Sequence, residues 1–211
     1  MFAGLRKDIE AVKERDPAAR NTLEILLLNE GVHALSYHRT AHWLYEHKMF
    51  FTARVISQWA RFFTGIEIHP GAKIAHGVLI DHGAGVVIGE TAEVGEGCTI
   101  YQGVTLGGTG KDRGKRHPTL GKNVMVGSGA AILGPFIVGD NAKIAAGAVV
   151  LEPIPEDATA VGVPARVVRR GTKKISSDLD QVHIPDPVAQ ELCKLLAKIE
   201  TLEKRVKELE N

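Results

Sequence analysis

Cysteine is scarce in this chain: two among 211 residues, Cys98 and Cys193, far apart in sequence. Neither belongs to a CxxC pair or a Cys/His ligand spacing, which excludes a disulfide framework and a zinc knuckle and favours a reducing compartment. Aromatics make up only 5% of the residues, too few to fill a wide sandwich core. Neither charge dominates, with 26 Lys+Arg against 25 Asp+Glu, so nothing global points to nucleic acid or an acidic partner. Long apolar runs are missing as well. Ile25 to Leu28 is far too short to span a bilayer, and the opening MFAGLRKDIEAVKERD lacks the apolar stretch of a signal peptide. The expectation is a cytoplasmic protein with no membrane and no nucleic-acid partner.

Glycine, by contrast, is abundant at 23 residues, and its placement follows a rule. Ile68, Ile74 and Ile80 are six apart; so are Ile88, Val94, Ile100 and Leu106; so are Leu120, Val126, Ile132, Val138, Ile144 and Val150. Gly follows the aliphatic residue at 89, 95, 107, 121, 127 and 139, and Ala does so at 75 and 145. Such a metre predicts a triangular prism, in which each six-residue unit is a short strand plus a corner and three units complete a turn. The aliphatic residue points to the axis, and each burial contributes about 1.5–3 kcal/mol. Glycine suits corners that need positive φ.

Residues 1–65 have a helical period instead. Leu5, Ile9 and Val12 share one face of a first helix, which Asp16-Pro17 ends. Two more helical stretches are expected at about 22–47 and 50–63, with His33, His38, His42 and His47 on polar faces. The prism occupies residues 66–170, with a loop extruded at 107–119. In the third segment, 171–211, a polar linker leads to Leu192, Leu195, Ile199, Leu202, Val206 and Leu209 in steps of three and four, the a/d spacing of a coiled coil. Lys198 and Arg205 fall at g and Glu203 and Glu210 at e, so g–e′ pairs between parallel copies are opposite in charge. A solitary amphipathic helix docked on its own subunit is the alternative. Branched residues at a with Leu at d favour two strands, whereas a prism trimer would want three. The fold class is α+β: helices, a parallel β-helix and a heptad tail.

Five motifs then occur in order: Ile66-Glu67-Ile68-His69-Pro70-Gly71-Ala72, Ile80-Asp81-His82-Gly83, Gly107-Gly108-Thr109-Gly110, Arg116-His117-Pro118 and Gly162-Val163-Pro164-Ala165-Arg166. Over residues 5–170 the chain resembles the serine O-acetyltransferases, hexapeptide-repeat enzymes that make O-acetylserine from L-serine and acetyl-CoA. The resemblance implies a left-handed coil and a direct acetyl transfer. It implies His82 as general base and then acid, Glu67 orienting its ring, and His117 near the reacting centre. Histidine suits both proton steps because its reference pKa is about 6.5. Glu67 precedes His82 by nearly one prism turn, so the two can be neighbours on adjacent coils. Asp81 and His82 are consecutive, which on a strand would point them to opposite sides.

L-Serine is a zwitterion. The resemblance assigns Asp16 and Asp81 to its ammonium and Arg116 and His117 to its carboxylate, with the 107–119 loop carrying the last two across to a neighbouring subunit. Asp16 also has a plain alternative, since Asp-Pro commonly just ends a helix. Acetyl-CoA would lie in a groove between prisms. Gly108, Thr109, Ser128, Lys143 and Ala146 are candidate contacts, and Arg166, with Arg169, Arg170, Lys173 and Lys174, is placed toward the phosphates. No metal is implied. The assembly implied is a homotrimer or a dimer of trimers, with L-cysteine, a near-isostere of serine, as competitive inhibitor. Relatives that dock into O-acetylserine sulfhydrylase use an extended tail ending in isoleucine; the charged heptad segment and Asn211 here argue against that partnership.

Two rival functions fit parts of the pattern. One is another hexapeptide acetyltransferase acting on a sugar or xenobiotic, although Asp16, Asp81 and Arg116 suit a zwitterion better. The other is a zinc-dependent γ-class carbonic anhydrase built from His69, His76, His82 and His117, in which the glycine-rich loop and the GVPAR segment would have no purpose.

Overall fold

The computed structural model describes residues 2–110, 113–170 and, in the tail, 192, 195–199, 201–202, 205 and 206. Four helices come first: α1 (Phe2–Arg15), α2 (Thr22–Leu28), α3 (Glu30–Glu46) and α4 (Phe50–Thr64). The single stretch expected at 22–47 is therefore two helices. Asn29 explains the break: its backbone N–H closes α2 on Ile25, while its side-chain oxygen accepts from the Val32 N–H as the N-cap of α3. Gly65, at φ 71°, stops α4 in the left-handed conformation and hands the chain to the strands.

The strands recur in threes. The first coil holds β1 (Glu67–Ile68), β2 (Lys73–Ile74) and β3 (Leu79–Asp81); the second β4 (Val87–Ile88), β5 (Glu93–Val94) and β6 (Thr99–Tyr101). The third holds β7 (Thr105–Gly107), β8 (Thr119–Leu120) and β9 (Met125–Val126); the fourth β10 (Ala131–Leu133), β11 (Ile137–Val138) and β12 (Lys143–Ile144). After β13 (Val149–Val150) and β14 (Ala158–Val161), β15 (Arg166–Arg170) folds back antiparallel on β14, Val161 opposite Arg166, and closes the stack. Every third strand pairs in parallel. The first wall is β1-β4-β7-β10-β13, the second β2-β5-β8-β11, and the third β3-β6-β9-β12-β14 with β15 at its edge.

Register explains why the six-residue metre exists. Ile68 lies beside Ile88, Ile88 beside Leu106, Leu106 beside Ile132 and Ile132 beside Val150. The same holds for Ile80, Ile100, Val126 and Ile144 on the third wall. Ile100, Leu106, Val126, Ile132 and Ile144 have no exposed surface. Cys98 belongs to this interior, and burial pushes its thiol up to about 11, so it is an inert core residue.

The helices cover the first coil. Leu79 points outward from the prism yet is buried, because Val12, Ile25 and Val32 of α1–α3 pack over it. Small residues bring α4 close to β1: its buried stripe is Ala53, Ser57, Ala60 and Thr64, and the Ser57 hydroxyl donates to the Ile68 carbonyl at 2.9 Å. Gly31 permits the same for α3, since a Cβ there would lie 2.3 Å from the Ile80 carbonyl oxygen. The Arg15 guanidinium donates to the Gly97 carbonyl (2.7 Å) and Thr99 Oγ1 (2.9 Å), and Asp8, paired with Arg39, accepts from the Gly77 N–H at 2.9 Å. His38 corrects the expectation for the α3 histidines. It is buried, and burial, followed by His42 and Arg39, lowers its pKa to about 3. His47 is exposed as expected, and His33 is half-buried.

In the tail, Leu192, Leu195, Ile199, Leu202 and Val206 are helical and each at least half exposed. Among the described residues, nothing covers this stripe by half or more. Lys173, Lys174, Glu203, Leu209 and Glu210 lie outside the described residues.

Ile100→Ala is expected to cost about 2–5 kcal/mol, because an axial side chain touched from above and below leaves a cavity that cannot collapse. Urea unfolding measures it; a loss under about 1 kcal/mol would contradict the axial stack as the main source of stability.

Candidate active site

The metre is broken twice, and both breaks carry chemistry. From Ile80 to Ile88 the step is eight residues, and from Leu106 to Leu120 it is fourteen. The first lengthens the corner between the third and first walls; the second extrudes the loop between the first and second walls.

At the lengthened corner His82 has φ 49°. This left-handed turn, unusual outside glycine, ends the strand's alternation. The His82 ring therefore lies on the same side as the Asp81 carboxylate, with Nε2 3.9 Å from Oδ1, not on the opposite side as strand geometry predicts. The His82 side chain is 81% exposed. A pocket of about 190 Å³ opens here, bringing Asp16, Asp81 and His82 together with Glu24, Asn29 and Glu30. Its volume is well below the ~300 Å³ at which drug-sized sites begin, which suits a small ligand. Its lining is rich in acids: Asp16, Glu24, Glu30 and Asp81. Burial, then the neighbouring charges of Asp16 and Glu30, hold the Asp81 carboxyl above its ordinary range, against the lowering effect of His82. Asp16 Oδ1 accepts from the Ala18 N–H at 2.8 Å in the turn after α1, and the residue also lines the pocket.

Glu67 starts beneath this corner, where Ile66 packs so close that a Cβ on Gly83 would meet its Cδ1 at 2.3 Å. Within the chain its Oε2 is held by Arg61 at 3.1 Å, and among the described residues His82 has Asp81 as its ionic neighbour.

Arg116 and His117 sit at the opposite edge of the first wall. Instead of projecting freely, they fold back on their own chain. Arg116 pairs with Glu90, which also accepts from the Tyr45 hydroxyl at 2.8 Å; these two bonds hold the Glu90 carboxyl below its usual range. His117 is buried against Thr91, its Nδ1 2.9 Å from Thr91 Oγ1. A Cβ on Gly89 would fall 2.0 Å from its ring, so glycine is obligatory there. Burial, then Arg116, lowers the His117 pKa.

The candidate acetyl-CoA contacts fall in three places. Ser128 and Ala146 stack on the edge that carries His82, where the Gly103 N–H donates to the Ala84 carbonyl, Gly129 to Gln102 and Gly147 to Ser128, one coil after another. Gly127 permits the close stacking, since its Cβ would lie 2.6 Å from the Ala146 nitrogen. Arg166 is exposed at the far end of this stack. Gly108 and Thr109 belong to the extruded loop. Lys143 is elsewhere, in a groove with Glu14, Arg15, Thr99 and Asn141. The four histidines His69, His76, His82 and His117 occupy separate places: His69 packs edge-on against Tyr45, His76 against Gly4, and no metal-binding group of three His, Cys, Asp or Glu forms among the described residues.

Sequence reasoning did not single out Glu30, Glu90 or Thr91. For the last two a signal existed, because the metre places Glu90-Thr91 at the corner one coil below the extruded loop. Glu30 is placed only by the break at Asn29.

Comparison with known proteins completes the picture. The family model for bacterial transferase hexapeptide repeats matches residues 117–152, and that for the serine acetyltransferase N-terminal region matches residues 1–36. A serine acetyltransferase of Bacillus licheniformis is 53% identical over 209 residues, covering 99% of this chain and 97% of that one. One of Bacillus subtilis is 50% identical over 212 residues, covering 97% and 98%. Among solved structures, Neisseria gonorrhoeae serine acetyltransferase in complex with serine has a TM-score of 0.77 at 42% identity, covering 80% of this chain and 69% of that one. A serine acetyltransferase complex with cysteine gives 0.83 at 43% identity, covering 87% and 72%. The Brucella abortus enzyme in complex with coenzyme A gives 0.78 at 44% identity, covering 81% and 68%. The solenoid is thus the left-handed hexapeptide β-helix.

A carboxyl whose folded pKa is raised stabilises the fold at acid pH, and that stability is lost as pH rises through the folded value. Ionised Asp81 is therefore a cost at neutral pH. Asp81→Asn is expected to raise the melting temperature at pH 7, with the gain shrinking toward pH 4, while KM for L-serine rises. A lower melting temperature at pH 7 would contradict the assignment.

Proposed function

Because the chain belongs to the serine acetyltransferase family, we propose that it moves the acetyl group of acetyl-CoA onto the L-serine hydroxyl in one direct displacement with His82 as base. His82 Nε2 takes the hydroxyl proton as Oγ attacks the thioester carbonyl carbon. The C–O bond forms, the tetrahedral oxyanion collapses, the C–S bond breaks, and His82 returns the proton to the departing CoA thiolate. O-acetyl-L-serine and CoA leave, and no acetyl-enzyme is needed. The observation that carries this reading is the pocket that joins Asp16 and Asp81 to His82: acids to hold the ammonium beside a base to take the hydroxyl proton. Glu67 orients the ring through Oε1, the oxygen that Arg61 does not engage.

The carboxylate end of serine falls to Arg116 and His117. In one chain these flank the opposite edge of the first wall from His82, so the complete site requires two copies side by side. Acetyl-CoA runs along the corner stack of Ser128 and Ala146 toward Arg166. The Neisseria structure with serine, the structure with cysteine and the Brucella structure with coenzyme A support serine, acetyl-CoA and a competing L-cysteine as ligands here. A trimer of prisms supplies three such seams. The tail helices fit a parallel coiled coil between the same copies: the described part of their apolar stripe is exposed, and in the heptad register of the sequence Lys198 and Arg205 fall at g and Glu203 and Glu210 at e.

His82→Ala is expected to lose at least ~10³ in kcat, with the mass by light scattering unchanged. Acetyl-CoA consumption with L-serine is the assay; activity within tenfold of the parent excludes His82 as base. Deleting residues 191–211 is expected to leave the fold intact and lower the melting temperature in a concentration-dependent way; no shift would remove the coiled coil.

A further inference from the structure

We propose that Thr91 is a positioning residue that locks His117 in one tautomer, with its proton on Nε2, so that His117 meets the substrate as a hydrogen-bond donor and not as a second base. The proposal rests on the reading that His117 faces the serine carboxylate.

The geometry around Thr91 leaves one arrangement. Its Oγ1 accepts from two backbone groups of the extruded loop, the Arg116 N–H at 3.0 Å and the His117 N–H at 3.1 Å. A hydroxyl has two lone pairs and one proton, so with both lone pairs taken the proton has to go elsewhere. His117 Nδ1 is 2.9 Å away. The Thr91 backbone N–H, which cannot rotate or reverse, also points at Nδ1, at 3.2 Å. The opposite tautomer would direct an Nδ1–H at this fixed N–H and at a hydroxyl oxygen already saturated with donors. Nδ1 therefore carries no proton, and Nε2 carries one.

The rest of the loop anchors on the same corner. Lys115 Nζ donates to the Thr91 carbonyl at 2.7 Å, so Lys115, Arg116 and His117 all bond to one residue. Burial and the Arg116 charge favour the neutral ring, which suits a donor of fixed polarity. Gly89 and Gly108 keep the Nε2 side clear: a Cβ on Gly89 would lie 2.1 Å from Nε2, and one on Gly108 3.3 Å. The two imidazoles of the reaction thus differ in design. His82 is exposed and able to take a proton, whereas His117 is clamped so that it cannot accept one at Nδ1.

The test uses the full-length oligomer. Thr91→Val removes the hydroxyl while keeping the shape, and is expected to raise KM for L-serine about tenfold or more with KM for acetyl-CoA within about twofold. Thr91→Ser is expected to restore serine KM to within about threefold. His117→Gln places an amide N–H near the Nε2 position and is expected to retain far more activity than His117→Ala, which a base could not do. Nitrogen-15 magnetic resonance of histidine-labelled protein, with His117 assigned by its loss in His117→Gln, reads the tautomer directly. An Nδ1-protonated His117, or a Thr91→Val enzyme with serine KM within twofold of the parent, overturns the clamp. A His117→Ala enzyme with parental kinetics removes His117 from the reaction and with it the proposed donor role, while the resonance experiment still decides the tautomer.

Discussion

Everything in this molecule depends on the aliphatic column along the prism axis. Each inward residue lies beside its equivalents one coil below and one coil above, so moving one strand by a single residue would turn its apolar side chain outward. This constraint leaves the walls no freedom to build a site. Chemistry is confined to places where residues can be added without disturbing the column, which are the corners. The two corners that depart from the six-residue step hold His82 and His117.

The electrostatics follow the same division. One edge of the first wall carries an acidic pocket whose carboxylates come from the turn after α1, from α2 and α3, and from the end of β3. The other carries Lys115, Arg116 and His117, held by Glu90 and Thr91. Under the proposed function, these edges from neighbouring copies would match the two charged ends of an amino acid, with its hydroxyl beside His82. The raised carboxyl of Asp81 is what the fold gives up for that match, an instance of a site held at the expense of stability.

Much of the fold was legible because period encodes it: the hexad names the inward residues and the corners, and the loop is visible as a gap in the metre. Asp16 lines the same pocket as Asp81 and His82, from which it is far removed in sequence. What period does not encode is the direction of a side chain at a left-handed residue, so the Asp81–His82 relation was misjudged. Nor does it encode local capping, which split the second helix at Asn29 and delivered Glu30 to the pocket. His38 was misplaced because α3 is covered on more than one side. Lys143 faces a groove away from the Ser128–Ala146 edge, since a strand's first and last residues belong to different corners. Thr91 was passed over because a threonine in a glycine-rich corner looks like filler until its hydrogen bonds are traced.

The central claim is that the reaction happens at a seam between copies, with His82 from one and His117 from the next. Mixed oligomers test it most directly. His82→Ala and His117→Ala proteins are first assayed alone, then unfolded together and refolded, and the mixture is assayed with L-serine and acetyl-CoA. Seams that join an intact His82 to an intact His117 then form at random, and about a quarter of parental activity is predicted to return. A mixture as inactive as its components would place both histidines' work within one subunit and contradict the account.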